Sequence, residues 1–318
     1  MIATGPGWEM RLGDCIAGMR ELADDSVDVT ITDPPYDEHT HKAGRRGITG
    51  IDETKTRSNG AGAKRAQTNR ARSLGFEAIS SDQMAAAADQ FARVARRWTL
   101  VFCAVEMVGD SAKDGGRGWR AAGERAGLEY VRTCVWHKLG CTPQFTGDRP
   151  AQAVEAIVCF HRPGKKRWNS GGKHGYYAHP IVLNRGGVEN RCHTTQKPLS
   201  LVLELVGDFS EPGELVLDGF AGSGTTGVAC VQHGRRFVGW ELARCARCLL
   251  TAEWMCSWME GDKPQSANLC DEHRDEVASK NGFDAVQDNY FKVACRRLRG
   301  ERAVLNKQQL DMFAGGAA

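Results

Sequence analysis

Short apolar segments that alternate with helical segments constrain the fold of this chain more than any other feature. Val27 to Thr32 and Thr99 to Ala104 are predicted strands, and Asp82 to Arg97 is a predicted alanine-rich helix. Such alternation predicts an α/β fold with a mostly parallel sheet and helices on both faces. The 318 residues, 41% of them hydrophobic, are enough to bury one large core. Further predicted strands are 131–137, 153–161, 214–218 and 235–241, and further predicted helices are Leu199 to Phe209 and Thr225 to Gln232.

Charge and cysteine content limit the setting in which the protein works. The formal net charge is only +3, so affinity for nucleic acid has to come from local basic clusters. One such cluster is residues 38–75, where nine lysines and arginines outnumber three acidic residues and which we predict to be a mobile basic loop. The chain begins with no apolar signal-peptide core and has no apolar run of about 18 residues. We therefore expect a cytoplasmic protein without membrane contact, whose twelve cysteines pack as small hydrophobes or bind metal.

The glycine-rich stretch "LDGFAGSGTTG" (217–227) follows a predicted strand and precedes a predicted helix. Gly222, Gly224 and Gly227 have the spacing of a dinucleotide-binding turn, but Asp218 ahead of them would repel a pyrophosphate. A carboxylate at this place suits a ligand with an ammonium and a sulfonium, which indicates S-adenosylmethionine. Glu241, at the tip of the next predicted strand, can accept hydrogen bonds from both ribose hydroxyls of a nucleoside. The alternative is a tight strand-to-helix turn and a solvated glutamate.

The stretch "TDPPY" (32–36) ends a predicted buried strand on a carboxylate and two prolines. Pro34 and Pro35 fix the backbone, so the carbonyl oxygen of Pro34 is expected beside the Asp33 side chain. Two acceptors that bind the two hydrogens of an exocyclic amino group favour a pyramidal nitrogen, whose lone pair can attack a methyl group. Tyr36 offers an aromatic face for a base that has left the duplex. The alternative is a proline-stiffened turn capped by Asp33.

With these motifs, the chain resembles the amino-methyltransferases of DNA, which modify adenine or cytosine at the exocyclic nitrogen. The resemblance rests on "GDCIAGMRELADDSVDVTITDPPY", "VWHKLG", "HTTQKP", "VLDGFAGSGTTGVA" and "GRRFVGWE", and it covers most of the chain. It implies the Rossmann-like fold of methyltransferases that use S-adenosylmethionine. The catalytic motif precedes the cofactor motif, as in the circularly permuted β class. Gly219 and Thr194 stand where the family usually has proline, which loosens two turns without removing a contacting group.

The resemblance also implies roles for individual residues. Asp33, Pro34, Pro35 and Tyr36 would hold the target base. Asp14 would line the cofactor's adenine, although it could also cap the following helix. For Lys197 the alternative is a solvated lysine at the start of a helix. The full set of residues implied to bind cofactor is Asp14, Cys15, Asp33, Thr195, Gln196, Lys197, Pro198, Asp218, Phe220, Gly222, Gly224, Thr225, Glu241 and Leu242.

Residues 140–192 occupy the position of the family's target-recognition segment. Basic residues there could contact phosphates while aromatic residues stack on bases. A hairpin with solvated basic residues and aromatic rings that cover the core would have the same composition, so both interpretations stay open at this point. The candidates are Lys165, Lys166, Arg167, Lys173 and Arg185, with Trp168, Tyr176 and Tyr177 as aromatic partners.

Residues 243–288 interrupt the family pattern, because "NYFKVACRRL" would normally follow Glu241 directly. Cys245 and Cys248 form one short-spaced pair, and Cys270 and His273 form another. Two such pairs fit a tetrahedral structural zinc site, with Cys256 as a rival ligand. Cysteines that simply pack beside tryptophans are the alternative. The segment has nine acidic residues against five basic ones, so we expect it to stabilise the fold or bind a protein rather than clamp DNA.

The sequence therefore predicts a catalytic domain of residues 1–242 and 289–318 with an inserted zinc module. The predicted reaction is methyl transfer from S-adenosylmethionine to an amino group of DNA, with adenine favoured by the aspartate before "PPY". Cytosine-N4 methylation, RNA methylation and a non-catalytic nucleic-acid-binding protein are the alternatives. The resemblance further implies a restriction-modification setting. A homodimer and a protein partner of the inserted module are left open.

Overall fold

The computed structural model describes the side chains of residues 1–36, 78–113, 115–141, 143–144, 147–182, 195–242 and 293–300. It describes the backbone alone of residues 114, 254–260, 263–269, 285–288 and 290–292. Nine strands form the main sheet in the order β1-β2-β9-β8-β3-β4-β6-β5-β7. They are β1 Ile2–Gly5, β2 Trp8–Leu12, β3 Val29–Thr32, β4 Trp98–Cys103, β5 Glu129–Leu139, β6 Val154–His161, β7 Tyr176–Pro180, β8 Leu215–Asp218 and β9 Arg236–Glu241.

The sheet is mixed but mostly parallel. Neighbouring strands are parallel from β2 through β9, β8 and β3 to β4, and again between β5 and β7. The strand pairs β1 with β2, β4 with β6, and β5 with β6 are antiparallel. The glycine-loop strand β8 lies beside β3, although it comes much later in the sequence. This confirms the predicted α/β class; the circular permutation stays a prediction.

Helices cover both faces of the sheet, as the alternation predicted. Along β4, Leu100 and Phe102 belong to a core shared with the helices of residues 199–209, 225–232 and 290–298. Val101 and Cys103 belong to a core on the other face, shared with the helices of residues 15–19, 81–94 and 118–125. Every residue of β3 and β4 is buried, which is typical of strands sandwiched between two helical layers. The helices are α1 Cys15–Met19, α2 Ser81–Val94, α3 Gly118–Arg125, α4 Leu199–Phe209, α5 Thr225–Gln232 and α6 Tyr290–Leu298.

Most predicted elements occur within a few residues of their predicted bounds. The largest shift is at the end of α2, predicted to reach Arg97, which stops at Val94 because Ala95 leaves the helical conformation. A capping box of Ser80 and Gln83 starts this helix. The elements β1, β2, β7 and α3 were not predicted. The strands β1 and β2 are joined at Pro6 and Gly7, and Gly7 has the positive φ of 78° that a tight turn requires.

The backbone of the interrupting segment forms a second, three-stranded antiparallel sheet in the order β11-β10-β12. Its strands are β10 Trp254–Glu260, β11 Lys263–Leu269 and β12 Ala285–Asp288. The predicted zinc ligands Cys245, Cys248, Cys270 and His273, and the basic loop 38–75, lie outside the described residues. In the described part of the chain, no group of three or more metal-binding side chains comes together. No helix there is long and apolar enough to cross a membrane.

Candidate active site

Four parallel strands bring the predicted site residues to one edge of the sheet. The strands β2, β9, β8 and β3 are consecutive neighbours, with Leu12 opposite Glu241 and Asp218 opposite Gly239. Because parallel strands end at the same edge, the residues that follow them lie together. Asp14, Asp33, Asp218 and Glu241 all stand at or just beyond these ends. The structure thus assembles the two predicted motifs into a single region.

Asp218 links the two halves of this region. The side chain is buried, and its Oδ1 accepts hydrogen bonds from Thr32 Oγ1 at 2.8 Å and from Phe220 N at 3.0 Å. Burial raises the pKa of Asp218, while these hydrogen bonds and one from Thr226 oppose the rise. The carboxylate therefore joins β8 to β3 and fixes the start of the glycine loop. That Asp218 attracts the ammonium and sulfonium of S-adenosylmethionine stays a prediction.

The glycine loop turns sharply between β8 and α5. Gly222 and Gly224 have φ values of 52° and 74°, a left-handed conformation that favours glycine. Arg297 of α6 supports the loop from behind, because its Nη1 donates to Ser223 O at 2.7 Å and to Thr225 Oγ1 at 2.9 Å. The loop is thus held by the helix that follows the interrupting segment, a contact that the sequence did not predict.

Glu241 is an acid with a single described hydrogen-bond donor to its carboxylate. Its Oε2 accepts from Gly222 N at 2.8 Å. Burial raises the pKa of Glu241 to about 8; the Gly222 hydrogen bond lowers it, and the charge of Asp218 raises it further. None of the described lysines or arginines forms an ion pair with this carboxylate. A desolvated acid of this kind fits hydroxyl donors of a ligand.

The start of α1 lies beside Glu241. Gly13 N donates to Glu241 O at 3.0 Å, and Asp14 Oδ1 caps α1 by accepting from Ala17 N at 2.9 Å. The helix-cap role of Asp14 is therefore confirmed, and a cofactor role is compatible with it. Cys15 is buried, and its burial and the charges of Asp14 and Asp218 raise the pKa of its thiol. Phe220 is half-buried, and Leu242 is exposed.

Asp33 presents its two carboxylate oxygens to different surroundings. Oδ2 accepts from Lys197 Nζ at 2.6 Å. Oδ1 is buried and has no hydrogen-bond partner among the residues that the structure describes. Such an oxygen is costly to leave unpaired, so it marks a place where a donor from a ligand would bind. Pro34 beside it is buried, and Pro35 and Tyr36 are half-buried.

Lys197 is not the solvated lysine that was the alternative prediction, since only 8% of its side chain is exposed. Its ammonium lies 2.6 Å from Asp33 Oδ2 and 3.2 Å from Glu155 Oε2. Glu155 in turn pairs with Lys138, whose Nζ lies 2.6 Å from Glu155 Oε1. Two carboxylates and two ammonium groups therefore alternate in a line that ends at Asp33. The ammonium also lies 5.8 Å from the centre of the Tyr36 ring.

These neighbours set the protonation of Asp33. Burial raises its pKa from 3.8 to about 6; the positive charge of Lys197 opposes this rise and the negative charge of Glu155 adds to it. Burial by itself lowers the pKa of Lys197, but the attraction of Asp33 and Glu155 is stronger and raises it. Asp33 is thus an ionised acceptor at neutral pH that becomes protonated in mild acid.

In the predicted recognition segment, several side chains have structural partners. Tyr177 is buried and donates to Asp208 at 2.9 Å, and Trp168 packs edge-on against Phe209 with ring centres 4.8 Å apart. Lys173 pairs with Asp208. These contacts favour the core-covering interpretation for three of the candidates. Tyr176 differs, since 54% of its surface is exposed. The basic candidates Lys165, Lys166 and Arg167 are exposed as well. Arg185 lies outside the described residues.

The sequence did not single out Glu155, Lys138 or Arg297. Glu155 lies within the predicted strand 153–161, and Lys138 comes just after the predicted strand 131–137. A charged residue inside an otherwise apolar strand was the available signal, because such a residue is expensive to bury unless it is paired.

Comparison with known proteins identifies the family of the chain. The model of the N6_N4_Mtase family, described as DNA methylase, matches residues 27–246. The protein "Putative methylase YubD" of Escherichia coli (strain K12) is 29% identical over 231 residues, which are 72% of this chain and 82% of YubD. The type II methyltransferase M.XycI of Xanthomonas campestris pv. cyanopsidis is 32% identical over 127 residues, 36% of this chain and 40% of M.XycI.

Solved structures share the fold. The PvuII DNA methyltransferase, described as cytosine-N4-specific, superposes with a TM-score of 0.50 at 14% identity, covering 75% of this chain and 83% of its own. The family model spans more than half of the chain and includes β3 with Asp33, β8 with the glycine loop, and Glu241. The chain therefore belongs to the N6/N4 DNA methylase family, the amino-methyltransferases of DNA.

Proposed function

We propose that this protein transfers a methyl group from S-adenosylmethionine to the N6 amino group of adenine in duplex DNA. The observation that carries the proposal is the Asp33 carboxylate, which keeps Oδ1 unpaired at the edge where the glycine loop begins. An exocyclic amino group supplies the donor that this oxygen lacks. Family membership supplies the reaction class.

The residues at the carboxyl edge fit S-adenosylmethionine as the methyl donor, since the bound cofactor supplies an electrophilic methyl group. Glu241 offers the oxygens of a desolvated carboxyl group to the ribose hydroxyls, and its side chain is fixed by Gly222 N. Asp14 and Cys15 lie next to Glu241, where the adenine of the cofactor would bind. The left-handed turns at Gly222 and Gly224 let the loop backbone approach a ligand closely.

Asp33 orients the target nitrogen. Its Oδ1 accepts one amino hydrogen, and the Pro34 carbonyl oxygen accepts the other, so that the lone pair of the nitrogen is directed away from both. The base has to leave the duplex to reach this position, and Tyr36 stacks on it. Positioning and preorganised acceptors supply most of the rate enhancement in such a site.

The rest of the chain is assigned by position. Residues 1–242 and 289–318 form the catalytic domain, and DNA is bound by the basic loop 38–75 and by exposed residues of segment 140–192 such as Tyr176. Residues 243–288 form the zinc module, with Cys245, Cys248, Cys270 and His273 as ligands. A protein partner of that module and a homodimer complete the proposal.

Labelled methyl transfer tests the reaction. The purified protein is incubated with labelled S-adenosylmethionine and duplex DNA from a methylation-deficient strain, and Asp33→Ala is compared with Asp24→Ala. Asp24 is an exposed aspartate that pairs with Arg93 before β3 begins, so it is a matched control. Asp33→Ala should lose transfer by about 10³-fold while Asp24→Ala stays like the wild type. Equal transfer by Asp33→Ala refutes the mechanism, and no transfer by the wild type favours a non-catalytic binding protein.

Sequencing of the modified bases distinguishes the substrates. N6-methyladenine is expected. N4-methylcytosine would favour the alternative reaction, cytosine-N4 methylation. The PvuII enzyme, which is described as cytosine-N4-specific, shares the fold of this chain. Transfer to RNA but not to DNA would replace the proposed substrate class.

A further inference from the structure

The line of alternating charges that ends at Asp33 extends beyond the residues that would touch the base. Lys138 pairs with Glu155, Glu155 with Lys197, and Lys197 with Asp33. Glu155 and Lys197 expose only 11% and 8% of their side chains. Buried charges are retained only when they are paired, so each member of the line needs the next.

Strand direction explains why Glu155 reaches the active site. Strand β6 is antiparallel to β4, and Ala156 at its start lies opposite Cys103 at the end of β4. The residue before Ala156 therefore lies at the carboxyl edge of the parallel strands, next to the end of β3. A parallel strand at this place in the sheet would have brought its other end to the site.

We propose that Glu155 is a positioning residue for methyl transfer: by sharing the ammonium of Lys197 with Asp33, it offsets the positive charge beside Asp33 and leaves Asp33 Oδ1 unbonded for the amino group of the base. The inference rests on the proposed function. In this role Glu155 acts on Asp33 through Lys197; its other neighbours are Lys138 and the hydroxyl of Tyr36.

The geometry fixes which oxygen of Asp33 faces the base. Lys197 Nζ lies 2.6 Å from Oδ2, which leaves Oδ1 as the free acceptor. Without a second carboxylate, the ammonium would be neutralised by Asp33 alone and would cancel the negative charge of the acceptor. The target nitrogen becomes more positive as it gains a methyl group, so an unopposed ammonium would disfavour the reaction. Glu155 removes this conflict.

Charge removal at Glu155 and at its partners should move the ionisation of Asp33 in opposite directions. The other titratable groups around Asp33 are Asp218, Tyr36 and Cys103, and they are unchanged in the variants below. In the wild type the pKa of Asp33 is raised to about 6, chiefly by burial. Glu155→Gln removes a charge that opposes ionisation, so the pKa of Asp33 should fall. Lys197→Met removes the charge that favours it, so the pKa should rise.

The predicted order of Asp33 pKa values is tested by measuring kcat as a function of pH on a duplex that carries the sequenced target site. The acidic limb of this pH profile, where kcat falls as Asp33 becomes protonated, reports the pKa of Asp33. For Glu155→Gln we expect kcat to fall about 10-fold or more, KM for DNA to change little, and the acidic limb to move down by about one pH unit. For Lys197→Met the limb should move up. Glu155→Asp keeps the charge and should restore the wild-type limb. Glu129→Gln removes a carboxylate from an exposed ion pair with Lys166 at the other end of the same strands and should leave kcat and the limb unchanged.

A second variant and a direct titration keep the test decisive if Glu155→Gln fails to fold. Lys138→Met removes the outer partner of Glu155, which leaves more negative charge near Asp33 and should move the limb up. Carbon-13 NMR of the aspartate carboxyl groups, with the Asp33 signal assigned by its loss in Asp33→Asn, should give the same order without turnover. A limb and carboxyl titration that stay at the wild-type pH in Glu155→Gln and Lys138→Met would overturn the inference while leaving the proposed function intact. An inactive wild type, or an active Asp33→Ala, would overturn both.

Discussion

Replacement of Glu241 by glutamine should stabilise the protein while weakening its cofactor site. Burial raises the pKa of this acid from 4.5 to about 8, so at neutral pH folding forces it to take up a proton that it lacks when unfolded. Neutral pH lies about 2.5 pH units above the ordinary pKa, and each unit corresponds to about 1.4 kcal/mol. The cost of folding with Glu241 is therefore up to about 3 kcal/mol at pH 7.

Glutamine keeps an oxygen that can accept from Gly222 N and carries no charge to desolvate. We expect Glu241→Gln to melt at a temperature higher by about 5 °C at pH 7, from the typical unfolding entropy of a chain of this length. Calorimetry of the protein without added ligand measures this shift. The matched control is Glu129→Gln, because its exposed ion pair contributes little to stability.

The pH dependence gives the sharper test. An acid whose pKa is raised on folding costs stability as pH rises through its unfolded value, and the cost stops growing above its folded value. The advantage of Glu241→Gln should be less than about 1 kcal/mol at pH 5 and about 4 kcal/mol at pH 8. S-adenosylmethionine should bind the variant about 10- to 100-fold more weakly by calorimetric titration, since an amide NH2 that cannot accept from a ribose hydroxyl replaces one of the two carboxyl oxygens. A variant that melts below the wild type at pH 7, or whose advantage does not change with pH, would refute the reasoning.

Three further predictions concern the support of the glycine loop, the packing of α5 and the zinc content of the interrupting segment. Arg297→Met removes the hydrogen bonds to Ser223 and Thr225, so cofactor binding should weaken by about 10-fold with little change in overall helicity; unchanged binding would contradict the bracing role. Gly227→Ala would place a Cβ 2.7 Å from Phe237 and Leu298, so it should lower the free energy of unfolding, measured by thermal melting, by about 1–3 kcal/mol. The control Gly207→Ala, whose Cβ would lie 3.6 Å from His233, should be neutral or stabilising. The opposite ranking of the two variants would contradict the packing argument. Metal analysis should find one zinc per chain, and a chelator should lower the melting temperature; zinc-free protein with unchanged melting would remove the predicted module.

The sequence carried enough information to predict the edge of the sheet at which the site lies. Asp33, Asp218 and Glu241 each follow a short apolar run, and the alternation of strands with helices indicated that such runs are parallel. Parallel strands end together, so their last residues had to converge. The hairpin of β1 and β2 had a signal too, because the Pro6-Gly7 pair between Trp8 and the first apolar residues is a typical turn. Helix α2 was predicted three residues too long because Ala95 and the arginines after it fit a helix in isolation.

The partners of Asp33 could not be predicted in the same way. An apolar run does not reveal whether its strand is parallel or antiparallel, and the direction of β6 alone decides whether Glu155 reaches the site or the opposite edge. Lys197 carried a predicted role towards the cofactor, but its separation from Asp33 in sequence gave no hint that the two form an ion pair. Local patterns place acids at strand ends because that depends on neighbouring residues. The charge that each acid keeps depends on which distant strand lies beside it, and therefore on the tertiary fold.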